Sequence, residues 1–155
     1  MTGARSGQPI ESDTDHELRT SRFLKAPRER VFQAFAEAER LAQWWGPHGF
    51  TNTFHAFQLR AGATWRYTMH GPNGADYANE SVFVEVVRPE RIVIDHVSAP
   101  RFRLTITLAS EAGQTRITWR QRFPSAAERD KIEALAVRAN EENLDRLEAE
   151  VARLT

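Results

Sequence analysis

The chain has 155 residues, no cysteine, and 21 Lys and Arg against 21 Asp and Glu, so its formal charge is zero. A chain of this length is expected to form one domain that hides roughly 70% of its unfolded surface, a core that needs no disulfide or metal staple. The composition excludes disulfides and thiolate chemistry, and the balanced charge argues against a general nucleic-acid binder, whose affinity would rest on excess positive charge.

No apolar run approaches the ~18 residues of a membrane span, and Met1 to Asp15 lacks the apolar stretch of a signal peptide. Residues 1–15 read as a disordered, polar tail, and residues 16–155 as a single domain of the cytoplasm.

His16 to Lys25 suits a first strand, with Leu18, Phe23 and Leu24 as its apolar members. Pro27 is then well placed to open a helix. Val31, Ala34, Phe35, Ala38, Leu41, Ala42 and Trp45 recur at spacings of three and four, which predicts one helical face ending at Gly46-Pro47.

The period then changes. Turn signals at Ala61-Gly62, Gly71-Pro72-Asn73-Gly74, Arg88-Pro89, Ala99-Pro100 and Glu111-Ala112-Gly113 separate runs of strand length. These are Thr53–Leu59, Thr64–His70, Tyr77–Val87, Ile92–Val97, Phe102–Leu108 and Thr115–Phe123. Phe102, Leu104, Ile106 and Leu108 alternate with polar residues, as do Ile117, Trp119, Gln121 and Phe123 with Arg116, Thr118, Arg120 and Arg122. Such alternation gives a sheet one buried and one wet face, and connections too short for crossover helices make it an antiparallel meander.

Ser125-Ala126-Ala127-Glu128 is a capping box, and neither Gly nor Pro follows it. Ile132, Leu135, Ala136, Ala139, Asn143, Leu147, Val151 and Leu154 form a stripe. A helix of roughly 29 residues would be about 43 Å long, enough to cross the sheet. The expected fold is therefore α+β: a helix-grip fold in which a curved antiparallel sheet of about seven strands wraps a long C-terminal helix, with a short helical segment between strands one and two.

The runs Ala26-Pro27-Arg28-Glu29-Arg30-Val31-Phe32 and Leu41-Ala42-Gln43-Trp44-Trp45-Gly46-Pro47 resemble the START-like (SRPBCC, birch-pollen-allergen-like) superfamily, and within it the family of the activator of the heat-shock protein 90 ATPase. Arg60 to Arg66 and Val84 to Val93 extend the resemblance over about residues 16–155. The chain departs from the pattern at Gly62-Ala63, where the family usually has Gly-Gly, and at Ser81, where a glycine is common. The resemblance implies a cavity between sheet and long helix, and a superfamily of lipid carriers, hormone receptors and cyclases.

The candidate ligand-binding residues are Trp45, Phe50, Trp65, Tyr67, Met69, Phe83, Phe102, Trp119, Gln121 and Asn143. Gln121 and Asn143 stand on apolar faces, where an amide needs a partner: each other, a water or a polar group of a ligand; the alternative puts Asn143 at the helix edge, facing water. Adjacent Trp44 and Trp45 point about 100° apart, so one packs under the sheet while the other covers a pocket rim or gates it. His16, His48, His55, His70 and His96 lack metal-ligand spacing, so no metal and no cofactor is expected. Among Asp76, Glu80, Glu85 and Asp95, Glu85 is the most conspicuous candidate base, against its reading as a solvated carboxylate. No nucleophile elbow or phosphate loop is present, and Arg101, Arg103, Arg116, Arg120 and Arg122 read as a solvated sheet face.

The functional expectation is the binding of a small hydrophobic or amphipathic molecule. Its alternatives are a co-chaperone-like protein-interaction domain and a cyclase- or hydrolase-type enzyme, the chain being a monomer or homodimer.

Overall fold

A computed structural model describes residues 15–154. The expected tail therefore lies outside the described residues, Asp15 excepted. In chain order the elements are β1 (Glu17–Leu24), α1 (Arg28–Ala36), α2 (Ala38–Trp44), β2 (Thr51–Ala56), β3 (Thr64–His70), β4 (Asp76–Val87), β5 (Arg91–His96), β6 (Phe102–Glu111), β7 (Gln114–Arg122) and α3 (Ala126–Arg153). The strands form one seven-stranded antiparallel sheet in the order β1-β7-β6-β5-β4-β3-β2. Six consecutive strands are a meander, and β1 closes its far side against β7, with Leu18 opposite Gln121 and Leu24 opposite Thr115. This is the α+β helix-grip fold expected from the sequence.

Where one helix was predicted over Val31–Trp45, the chain makes two. Glu37 leaves helical geometry (φ −97°, ψ 120°), and its side chain accepts from Gln33 Nε2 at 2.9 Å and from Arg40 Nε at 2.6 Å. Those bonds hold an extended residue between the helices, so the apolar spacing continues while the axis breaks. Val31, Phe32, Ala34 and Phe35 bury the first helix, Leu41 and Trp44 the second.

β4 carries an irregularity of comparable consequence. Strict alternation after Ser81 and Phe83 would turn Glu85 inward. The register shifts between Phe83 and Glu85, so Val84 faces out, Val86 joins the core, and Glu85 accepts two bonds from Arg91, each at 3.0 Å. The pairing with Arg91 holds the Glu85 carboxyl below the usual carboxylate range, on the wet face. The arginine stripe is similarly matched: Arg103 by Asp95, Arg116 by Glu111 and Arg120 by Glu17.

α3 spans 28 residues, close to the predicted length. At its start Glu128 N–H donates to Ser125 Oγ at 3.1 Å, one arm of the capping box. Leu144, Leu147 and Val151 enter the main core with Phe32, Phe35, Ile106 and Ile117, whereas Ala136 and Ile132 meet only a small cluster with Leu18 and Phe123. Leu144 and Glu150 broaden the expected stripe, while Leu135 is 70% exposed. At the β1 edge, Arg22 binds Glu141, Asp145 and Glu148 of α3.

Candidate functional site

Between the sheet and the less buried half of α3 lies a cavity of about 650 Å³. Strand alternation supplies its floor: Tyr67 and Met69 from β3, Tyr77 and Asn79 from β4, His96 from β5, Phe102 and Leu104 from β6, Trp119 and Gln121 from β7. The segment after α2 contributes Trp45, Gly46, Pro47 and Phe50, and α3 closes it with Leu135, Ala139, Asn140 and Asn143.

Of the residues named from the sequence, Trp45, Phe50, Tyr67, Met69, Phe102, Trp119, Gln121 and Asn143 lie in this wall. Trp65 and Phe83 do not. Both are 1% exposed and stack on each other at 5.7 Å, and Trp65 stacks on Tyr67 at 4.4 Å, so they support the wall from behind. The tryptophan pair divides its work: Trp44 is buried, donating from Nε1 to Ala34 O at 2.9 Å, while Trp45 packs on Trp65 and Trp119 at 5.0 and 5.8 Å. Sequence reasoning passed over Tyr77, Asn79 and Asn140. Tyr77 and Asn79 share the strand parity of Ser81 and Phe83, and Asn140 lies one turn from Asn143, so both signals were available.

Burial pushes the Tyr67 phenol up to about 12, partly offset by polar contacts from the Trp45 and Ser81 side chains. Ser81 is buried, with its hydroxyl facing the buried phenol. His96 is 7% exposed and stacks on Phe102 at 4.6 Å. Its Nδ1 lies 2.8 Å from Pro100 O and its Nε2 2.8 Å from Asn79 Oδ1, with the Asn79 amide oriented by its own Nδ2 donating to Tyr77 O at 2.9 Å. Two acceptors face the ring, yet burial outweighs the carbonyl contacts and lowers the His96 pKa below its ordinary value.

The rim segment is fastened to α3. Arg146 Nη1 donates to Trp45 O, Gly46 O and Pro47 O at 3.1, 2.9 and 2.9 Å, and Nη2 to Gln43 O and Phe50 O at 2.7 and 2.9 Å. Asn143 Nδ2 donates to Trp44 O at 2.9 Å, and Glu142 accepts from His48 N–H at 3.1 Å. Gly46 needs its missing side chain here: its φ is +99°, and a Cβ would stand 2.6 Å from the Met69 methyl carbon.

Among the described residues, no Asp, Glu, Lys or Arg lines the cavity, and no group of three His, Asp or Glu converges as a metal site. A Thr53–His70–Asp76 chain, with His70 at 2.7 Å from both partners, lies on the exposed face of β2–β4, away from the cavity. No helix of the described residues is long and apolar enough to cross a membrane.

A curved antiparallel sheet around one long helix, with a cavity between them, defines a START-like helix-grip domain. Residues 25–152 match the family model described as Activator of Hsp90 ATPase homolog 1-like protein. The chain belongs to that family. Among solved structures, a Nitrosomonas europaea protein is similar with a TM-score of 0.83 at 20% identity, over 92% of this chain and 98% of that one. A Chromobacterium violaceum protein matches at 26% identity and a TM-score of 0.76 over 86% and 95% of the two chains. The AHSA1 protein from Silicibacter pomeroyi matches at 19% identity and 0.74 over 88% and 97%. No curated protein matches.

Proposed function

We propose that this chain is a cytoplasmic binding protein that takes a small hydrophobic or amphipathic molecule into the cavity beneath α3. The observation that carries this reading is a ring-lined space of about 650 Å³ whose described lining contains no ionic side chain apart from a histidine held below its usual pKa. Spaces of this size and lining suit a ligand that leaves water for aromatic surface, with a few amides to orient it. The absence of cysteine suits a reducing compartment.

The enzyme alternative requires a histidine and a carboxylate converging in the cavity. His96 has both ring nitrogens at hydrogen-bonding distance from protein acceptors, and no Asp or Glu of the described residues lines the wall. The co-chaperone-like alternative rests on the family description alone.

The test is titration of a neutral naphthalene-based fluorescent dye. Saturable one-to-one binding is expected, and Ala139→Trp, which fills the cavity from half-buried α3, should abolish it while circular dichroism stays native. Dye binding that survives Ala139→Trp would remove the cavity from the account.

A further inference from the structure

Gln121 and Asn143 are 7% and 6% exposed, and both line the cavity. Asn143 Nδ2 is committed to Trp44 O, a carbonyl that can only accept, so the orientation of this amide is fixed and its Oδ1 is turned elsewhere. Asn140 Nδ2 donates to Gln121 Oε1 at 3.0 Å. That pairing consumes one end of each amide, whichever of the two donates. It leaves an N–H-bearing end on one residue and a carbonyl on the other. Among the described residues no protein hydrogen bond engages Gln121 Nε2, Asn140 Oδ1 or Asn143 Oδ1, and none of them is sealed away from solvent-sized space. Three amide ends that line a ring-walled cavity without a protein partner are open to a bound group that replaces water there.

The chemistry of that group follows. It meets both a donor and acceptors, so it must offer both. It meets no ionic side chain apart from a histidine held below its usual pKa, so a carboxylate or ammonium would lose its hydration with no counter-charge. The rings of Trp45, Tyr67, Phe102 and Trp119 make up much of the remaining wall, so an aromatic body suits the group's carrier. We infer that the cavity selects neutral aromatic carboxamides or lactams, whose adjacent N–H and C=O are read by the Gln121–Asn140 pair with Asn143. This rests on the binding-protein reading and narrows it to a class of ligand.

Three probes of one shape test it by isothermal titration: naphthalene carboxamide, methylnaphthalene and naphthoate. The carboxamide should bind wild-type protein at least about tenfold more tightly than either other probe, the ratio set by one well-paired amide. Gln121→Leu should erase that preference and leave methylnaphthalene binding intact. Asn140→Leu, at a half-buried position that tolerates change more easily, should do the same and stands in if the first variant does not fold. Equal affinity for carboxamide and methylnaphthalene in the wild type, or tighter binding of naphthoate, overturns the inference while the cavity reading stands. Parallel loss of both neutral probes in the variants also overturns it, since the amides would then serve packing. Failure of all three probes to bind wild-type protein overturns the cavity reading as well.

Discussion

The two segments that rim the cavity are held by different physics. The first, Trp45 to Phe50, is gripped by a permanent cation on the helix: one guanidinium spans five carbonyls, three of them consecutive. The second, Val97 to Arg101, is held within the sheet, by Val97 N–H on Glu80 O at 2.9 Å and by the His96 ring against Pro100 O. A guanidinium stays charged at any physiological pH and its planar fork suits several acceptors, so the first rim follows α3 under all conditions. An imidazole can change its charge where a guanidinium cannot, and burial holds the His96 ring below its ordinary pKa, so the second rim answers to acid. The difference teaches that α3 is both the lid of the cavity and the anchor of one lip, while the opposite lip belongs to the sheet.

The largest effect that would break this comparison is loss of the anchor itself. Leu147, fully buried one residue beyond Arg146, fixes α3 on the core, and Leu147→Ala should lower unfolding free energy in urea by about 2–5 kcal/mol. A denaturation midpoint equal to the wild type would mean the helix is held by its polar rim alone.

Arg146→Met tests the grip directly. It keeps much of the stem's packing but leaves carbonyl acceptors without a donor, and should cost about 2–4 kcal/mol. Arg146→Lys should recover only part, because an ammonium cannot fork across the acceptors. Full recovery by lysine would show that charge rather than geometry holds the lip.

The smallest effect sharpens the contrast at the other lip. Burial lowers the pKa of folded His96, while the unfolded chain takes up that proton near pH 6.5. Protonation therefore favours the unfolded chain: His96 contributes a loss of stability as pH falls through ~6.5 that levels once the folded ring titrates. Its surroundings carry the Asp95–Arg103 pair together with His16, Arg101 and Arg122 around the adjoining surface hollow. Urea midpoints measured between neutral and mildly acidic pH should fall less steeply in His96→Gln than in the wild type. An identical slope in both proteins would mean that His96 does not carry the pH dependence.

Much of the architecture was legible in the residues because period and punctuation agreed. The alternation in Phe102–Leu108 and Thr115–Phe123 fixed which face of the sheet is buried, and Ser125 with Glu128 marked where the long helix starts. Two local breaks were not legible, at Glu37 and between Phe83 and Glu85, since each depends on side-chain partners, Arg40 and Arg91, that spacing does not announce. The cavity wall was readable in part for the same reason. Strand parity identified Tyr67, Met69, Trp119 and Gln121, but a parity argument cannot tell a cavity from the core behind it. Trp65 and Phe83 share the inward face with the lining residues and are sealed by one another's rings. Arg146 was invisible as the keeper of a lip, because its partners are backbone carbonyls about a hundred positions earlier, which have no signature in sequence.

The unequal burial of α3 has a kinetic consequence. From Ala126 to Ala139 its one deeply buried side chain is Ala136, whereas Asn143, Leu144, Leu147, Glu150 and Val151 seal the remainder. Amide hydrogens in the second part are then expected to exchange with deuterium only when the whole domain opens, and those in the first turns by local fraying at far lower cost. The exchanging turns are the ones that carry Leu135 and Ala139 over the cavity. Were the cavity to hold a guest as proposed, its entry and exit would need only a loosening helix end, while the sheet and the anchored half of the helix keep their structure.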